Sequence, residues 1–297
     1  MCGRYASTRK RIELLEEFSV QRDKLTEPLK PDYNVAPTKA VYAVLDRVEP
    51  AQSGPAGGVD SRDDAARQRS SAGSAGQAER ELRVVRWGLV PFWAKDVKIG
   101  SRMINARSET VAEKPAFRRA FTKRRCLLPA DGYYEWQSQP GAAKQPMYIS
   151  RADGRSLAFA GLYELWRDPA VDRDDEDAWL WTATVITTSA PDELGMIHDR
   201  MPMIIDPGSW GDWLDPSNSD AADLRGLLSP AAVTGLTTYP VSTAVNSVRN
   251  NGPELIEPIA SGQVAPLAAS GAAAGRAAGA GATSLVDRAL DDTGVLF

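Results

Sequence analysis

The head of the chain carries its most distinctive chemistry. Cys2 follows Met1, and aminopeptidases remove Met1 when the next residue is small. The processed chain would begin with an α-amine, of reference pKa about 7.7–8.0, and a thiol of about 8.5 on one residue. An amine and a thiol two carbons apart can capture an aldehyde: the amine forms a Schiff base and the thiol closes a five-membered thiazolidine. On position alone, Cys2 reads first as an incidental residue of a frayed terminus. The single histidine, His198, stands in Met196-Ile-His-Asp-Arg-Met-Pro202, a loop-like segment, with a reference pKa suited to proton transfer near neutrality. Glu135 lies among aromatics in Asp131-Gly-Tyr-Tyr-Glu-Trp136. Buried there, its carboxyl would be raised into the range of a general acid or base; on an edge strand it would be an ordinary solvated charge. Cys126, in Arg125-Cys-Leu-Leu-Pro129, reads as an inert core thiol.

A second chemistry is spread along Arg83–Arg125. Twelve of the chain's 35 Lys and Arg fall there, although the protein carries a formal net charge of −4. Trp87, Phe92, Trp93, Phe117 and Phe121 are interleaved with them. Cations that track phosphates beside aromatics that stack on bases suit a single-strand groove; a solvated basic face over core aromatics reads equally well.

The elements that must hold these residues are of mixed period. Two cysteines and one histidine in 297 residues cannot form a disulfide framework or a four-ligand zinc knuckle. No apolar run is long enough to span a bilayer, and MCGRYASTRKR has no apolar signal-peptide core, so an intracellular protein is expected. Residues 49–80 contain no aromatic and one branched aliphatic, Val59, and are expected to be a disordered insertion. An acidic loop runs from Arg167 to Asp177, and an Ala/Gly tail follows Ala260. Residues 2–260 then form one domain. Ser7 or Thr8 is placed to cap a helix bearing Ile12, Leu15 and Phe18. Val41–Leu45 and Leu82–Leu89 read as a hairpin with the insertion at its tip. Arg125–Pro129, Met147–Ser150, Leu157–Leu162 and Trp179–Thr187 read as strands. Short helices are expected around Phe117–Phe121 and after Asp206-Pro207, with Trp210, Trp213 and Leu214 inward. The class is α+β: a mainly antiparallel, barrel-like sheet with peripheral helices.

Six segments resemble, in order, the motifs of the SOS response-associated peptidase family, whose members process abasic sites. They are Met1–Tyr5, Tyr33–Thr38, Arg86–Ala94, Ile104–Glu109, Arg125–Trp136 and His198–Pro202, with Val245-Asn246 following. The resemblance runs to about Pro258. It implies a bifurcated sheet, a positive DNA channel and removal of Met1, by the protein itself or by an aminopeptidase. It also implies a thiazolidine between Cys2 and the ring-opened sugar of an abasic site in single-stranded DNA. Cys2 matches the nucleophile, Asn105 the asparagine beside the crosslink, Glu135 the acid/base and His198 the active-site histidine. Arg4, Arg107 and Arg200 match arginines at the DNA backbone, and Asn34 and Trp87 are read with them as DNA contacts. No metal or other cofactor is expected, and the protein is expected to be a cytoplasmic or nucleoid monomer. A cysteine peptidase acting in trans and a non-catalytic single-strand binder remain open. Beyond the tail, Ser284–Phe297 ends in Val-Leu-Phe and loosely resembles peptides that dock on sliding clamps.

Overall fold

The computed structural model describes residues 2–48, 78–172, 175, 178–228, 235–259 and 265–266. The elements run β1 (Tyr5–Ser7), α1 (Arg11–Glu17), β2 (Arg22–Asp23), β3 (Asp32–Val35), β4 (Ala40–Arg47), β5 (Glu79–Trp87), β6 (Asn105–Arg107), α2 (Arg118–Lys123), β7 (Arg125–Ala130), β8 (Gly132–Gln137), β9 (Gln145–Arg151), β10 (Leu157–Arg167), β11 (Trp179–Ser189), α3 (Asp192–Gly195), β12 (Arg200–Pro202), α4 (Trp210–Leu214), α5 (Ala221–Leu227), β13 (Leu236–Pro240) and β14 (Ala265–Pro266).

Five strands close on themselves. β5 pairs with β4, β4 with β7, β7 with β10 and β10 with β11, all antiparallel. A short parallel pairing of β11 with β5, Thr182 opposite Arg86 and Ala183 opposite Trp87, completes the ring. Closure removes the sheet edges that would otherwise template aggregation. Successive side chains on a strand point to opposite faces. Val41, Ala43, Leu45, Val85, Trp87, Cys126, Leu128, Phe159, Ala183 and Val185 therefore fill the interior. Tyr42, Val44, Leu82, Leu127, Ala160 and Ile186 face outward, against Leu14 and Phe18 of the α1 region, Phe121 of α2, Trp210 and Trp213 of α4 and Leu224 of α5. Strands buried on both faces read as continuous apolar runs, which is why β7 and β10 were legible. A second sheet, ordered β14-β13-β9-β8-β1-β3, adjoins the barrel through the β7–β8 connection and carries the amino-terminal strand in its midst.

The structure thus has the expected α+β class and differs in detail. The helix starts at Arg11 after Lys10, whose N–H donates to the Glu13 carboxylate at 2.7 Å. Ser7 and Thr8 do not cap it: Ser7 is in β1, and the Thr8 amide and hydroxyl both donate to Asp131 Oδ2, at 2.6 and 2.7 Å. Ile12 is exposed, while Leu14 and Phe18 are the fully buried pair, Phe18 stacking on Trp210 at 4.5 Å between ring centroids. Burying such a ring contributes about 1.5–3 kcal/mol. β5 begins at Glu79, so the expected insertion loses its last two residues to the barrel. Residues 49–77, most of the tail and the Leu296-Phe297 end lie outside the described residues. No helix among the described residues is long and apolar enough to cross a membrane.

Candidate active site

Cys2 is fully buried against Tyr5, Trp87 and Tyr133, at one end of the barrel interior. Three neighbours set its place. Tyr5 pairs with Tyr133 across β1 and β8, and the Tyr134 N–H donates to Arg4 O at 3.0 Å, so the antiparallel pairing continues toward the start of the chain and brings Glu135 beside it. The Asn105 side-chain amide donates to the Cys2 carbonyl at 2.8 Å. Asn105 is itself held by β6 lying parallel on β11, Asn105 opposite Val185. The Trp87 indole N–H donates to Ile104 O at 3.0 Å, fixing the residue next to it. Asn105 Oδ1 is buried and accepts no hydrogen bond among the described residues.

Gly88 explains why the chain can turn here. Its φ is +121°, and a Cβ at that position would lie 2.6 Å from the Gly100 carbonyl oxygen. Only glycine accepts both the backbone angle and the close approach. The turn lets Gly88 N–H reach Ala183 O at 2.7 Å and releases the chain toward β6.

Burial dominates the electrostatics. It pushes the Cys2 thiol well above its usual range, and the Glu135 charge adds to this; the positive amino terminus and a backbone hydrogen bond from Arg4 act against it. Glu135 is 4% exposed, and burial raises its carboxyl to about 7. The charge of the amino terminus, which in the unprocessed chain is that of Met1, and Lys144 hold it down, while Asp199 pushes it up. His198 is lowered, first by burial, then by the amino terminus and Lys144, with Asp199 opposing. The same three charges act on Glu135 and His198, so both belong to one cluster around the start of the chain. His198 Nδ1 is 3.0 Å from the Arg200 N–H and 2.8 Å from Asp199 Oδ1. The two contacts ask for opposite protonation of Nδ1. The backbone donor is fixed, whereas the Asp199 side chain is 85% exposed and screened, so Nδ1 accepts from Arg200 and the neutral ring carries its proton on Nε2.

The expected DNA residues divide. Arg107 is exposed at the end of β6. Arg4 is half-buried, donating to Asn34 Oδ1 at 2.6 Å and Val245 O at 2.9 Å, with its guanidinium 5.8 Å from the Trp136 ring centroid. Arg200 is bound to Glu109 and the Thr187 carbonyl. Asn34 and Trp87 have no surface to offer a strand. Asn34 is fully buried and its amide is committed to the carbonyls of Val245, Ser247 and Asn250; Trp87 is a barrel residue, edge-on to Tyr5 at 5.2 Å. Asn34 instead accepts from Arg4, and Trp87 donates to the Ile104 carbonyl next to Asn105. Phe117 and Phe121 are likewise core, and the aromatics that reach the surface are Phe92 (52%) and Trp93 (51%), with Arg119 over the Phe92 ring at 4.6 Å. Sequence reasoning missed this sorting, and missed Lys144, Asp199 and Glu109. Strand parity was the available signal for Trp87, which shares its face with Val85. Among the described residues no group of three His, Cys, Asp or Glu is placed to hold a metal.

The comparisons with known proteins follow the same lines. The chain is 37% identical over 257 residues to the abasic site processing protein YoqW of Bacillus subtilis, covering 86% of this chain and 99% of that one. It is 36% identical over 212 residues to chicken HMCES, also named an abasic site processing protein, covering 62% and 60% of the two chains. The crystal structure of a protein from Bacteroides thetaiotaomicron superposes with a TM-score of 0.65 at 25% identity, covering 87% of this chain and all of that one. The family model described as SOS response associated peptidase (SRAP) matches residues 1–248, and with it the barrel, the Cys2 cluster and the Val245 loop: the chain belongs to the SOS response-associated peptidase family.

Proposed function

We propose that the protein acts in DNA repair by processing abasic sites, and that it does so by joining Cys2, freed of Met1, to the ring-opened sugar of an abasic site in single-stranded DNA. The observation that carries this reading is the placement of Glu135 at the start of the chain, with burial raising its carboxyl to about 7. A carboxyl so poised gives and takes protons at physiological pH. The names of the relatives agree with abasic-site processing.

The closed hemiacetal of the sugar must first open: the C1′ hydroxyl gives its proton to the Glu135 carboxylate, the ring oxygen takes one from that carboxyl as its bond to C1′ breaks, and the Nε2–H of the neutral His198 ring donates a hydrogen bond that orients the sugar oxygens. The neutral amine of Cys2 attacks the aldehyde carbon, and Glu135 passes one amine proton to the carbonyl oxygen, giving the carbinolamine. The carbinolamine loses one water, its hydroxyl leaving with the second nitrogen proton carried over by Glu135, to give the imine. The thiol then adds across the C=N bond: sulfur bonds to carbon, and its proton ends on nitrogen. The net change is loss of one water. A buried, protonated thiol favours this amine-first order, in which sulfur acts second and intramolecularly; a peptidase acting in trans needs a thiolate from the outset. Asn105 holds the Cys2 backbone while the side chain reacts, and its buried Oδ1 offers an acceptor to the amine or a sugar hydroxyl. Arg4 and Arg107, with Phe92 and Trp93, supply phosphate and stacking contacts for the strand. Intact mass after incubation with an abasic oligonucleotide tests the proposal. A complex of protein plus oligonucleotide less one water supports it; the unmodified masses alone refute it.

A further inference from the structure

The three arginines assigned to the strand are held differently. Arg4 donates to an amide oxygen and a backbone carbonyl. Arg107 is exposed and has no ion pair among the described residues. Arg200 alone of the three carries a carboxylate. Glu109 Oε1 lies 2.5 Å from its Nη1 and Oε2 lies 3.1 Å from its Nη2, a two-pronged contact. The two non-bridging oxygens of a phosphodiester engage a guanidinium in the same way.

The surroundings fix which edge of Arg200 is open. Its side chain is only 13% exposed, and Thr187 O accepts from Nη2 at 2.6 Å from the protein side. The Thr187 carbonyl also takes the Ser108 N–H at 2.9 Å, so the guanidinium is anchored to the β6–β11 junction, next to Arg107. What remains is the edge covered by Glu109, whose own side chain is 48% exposed and free to swing into water. Arg200 holds the Glu109 carboxyl below its usual range, so it is the carboxylate that meets the guanidinium.

We propose that Glu109 is a built-in stand-in for a backbone phosphate: it occupies the phosphate-binding edge of Arg200 in the free protein and is exchanged for a phosphate of the bound strand. The proposal rests on the single-strand reading above. It follows that Arg200 is already neutralised before DNA arrives, so its engagement releases no counterion, and Glu109 limits affinity for undamaged strands. Residence on DNA then depends on the covalent bond.

The test is fluorescence anisotropy of an undamaged single-stranded oligonucleotide over a salt series, with wild type, Glu109→Gln, Arg200→Gln and the double variant. Glu109→Gln should bind about three- to tenfold more tightly at low salt. Its log–log salt slope should be steeper by about 0.7, the value of one further counterion released from a single strand. In the Arg200→Gln background the same substitution should change neither. Equal tightening in both backgrounds would mean general repulsion and overturn the exchange, as would weaker binding by Glu109→Gln. Thermal melts check the fold of each variant, and Glu109→Ala repeats the comparison should Gln still bond to Arg200. A wild type that binds no single strand overturns the reading beneath, whereas a binding wild type with an unchanged Glu109→Gln overturns this inference alone.

Discussion

Replacing Glu135 by Gln should make the protein more stable at high pH while impairing it as a catalyst. The folded protein holds this carboxyl at about 7, against an ordinary value of 4.5, chiefly by burial. Between these two pH values the unfolded chain loses a proton that the folded chain keeps. Stability therefore falls as pH rises from 4.5 to 7 and stays reduced above it. At about 1.4 kcal/mol for each pH unit between them, the ionised carboxylate costs the fold about 3 kcal/mol at pH 8 and almost nothing at pH 4.5. Gln is nearly isosteric and never ionises, so Glu135→Gln should recover most of that difference at pH 8, or about 6–12 °C in melting temperature. The assay is urea unfolding of wild type and variant at pH 5 and pH 8, paired with the rate of adduct formation. The stability gap should open with pH while the adduct rate falls 10²-fold or more at pH 7, the low end for a lost general acid or base. A gap that is flat with pH, or a variant less stable at pH 8, would show that Glu135 is not a desolvated carboxyl, and the mechanistic argument would go with it.

Three further outcomes follow from the site. Cys2→Ser should give no stable adduct by denaturing gel, whereas Cys126→Ser, a buried thiol in the barrel, should give a normal one; the reverse pattern would place the chemistry on the wrong cysteine. A single residue left ahead of Cys2 turns its amine into an amide and should abolish crosslinking, as read by intact mass; an extended protein that reacts at the normal rate would rule out the thiazolidine. Arg107→Ala should weaken single-strand binding and make the log–log salt slope shallower by about 0.7 without moving the melting temperature; a change in melting temperature alone would make Arg107 structural.

The sequence was most informative where residue type and position carry the same message. β4, β7, β10 and β11 are branched and aromatic runs, and a closed barrel buries both faces of such strands. Short pieces were not legible. β1, β3 and β6 are three or four residues long and are defined by their partners, not by any pattern of their own. The misplaced cap has the same origin: Thr8 had a long-range acceptor in Asp131 that local spacing does not reveal. In the site, the motifs identified Cys2, Asn105, Glu135 and His198 as residues, and the structure brings them together. The motifs did not say which way a side chain points, so Asn34 and Trp87 were assigned to DNA although both face inward. Glu109 was overlooked because its meaning depends on Arg200, 91 positions away.

The short parallel pairing that closes the barrel also ties the barrel to the site. β11 holds Arg86 and Trp87 on one stretch and Asn105 to Arg107 on the next, so neither the barrel nor the grip of Asn105 on Cys2 exists until β11 is in place. Such distant pairings form late, because the intervening chain must first lose its freedom. His198 and Arg200 lie further on still. Cys2 is the first of these residues to leave the ribosome and the last to gain its surroundings. β8 can pair with β1 and bring Glu135 beside Cys2 before β11 is made, but Asn105 lacks the strand that holds it on the Cys2 carbonyl until then. The surroundings of Cys2 are complete only once β11 is in place, and a chain that stalls before β11 has Cys2 without the strand that seats Asn105 on it.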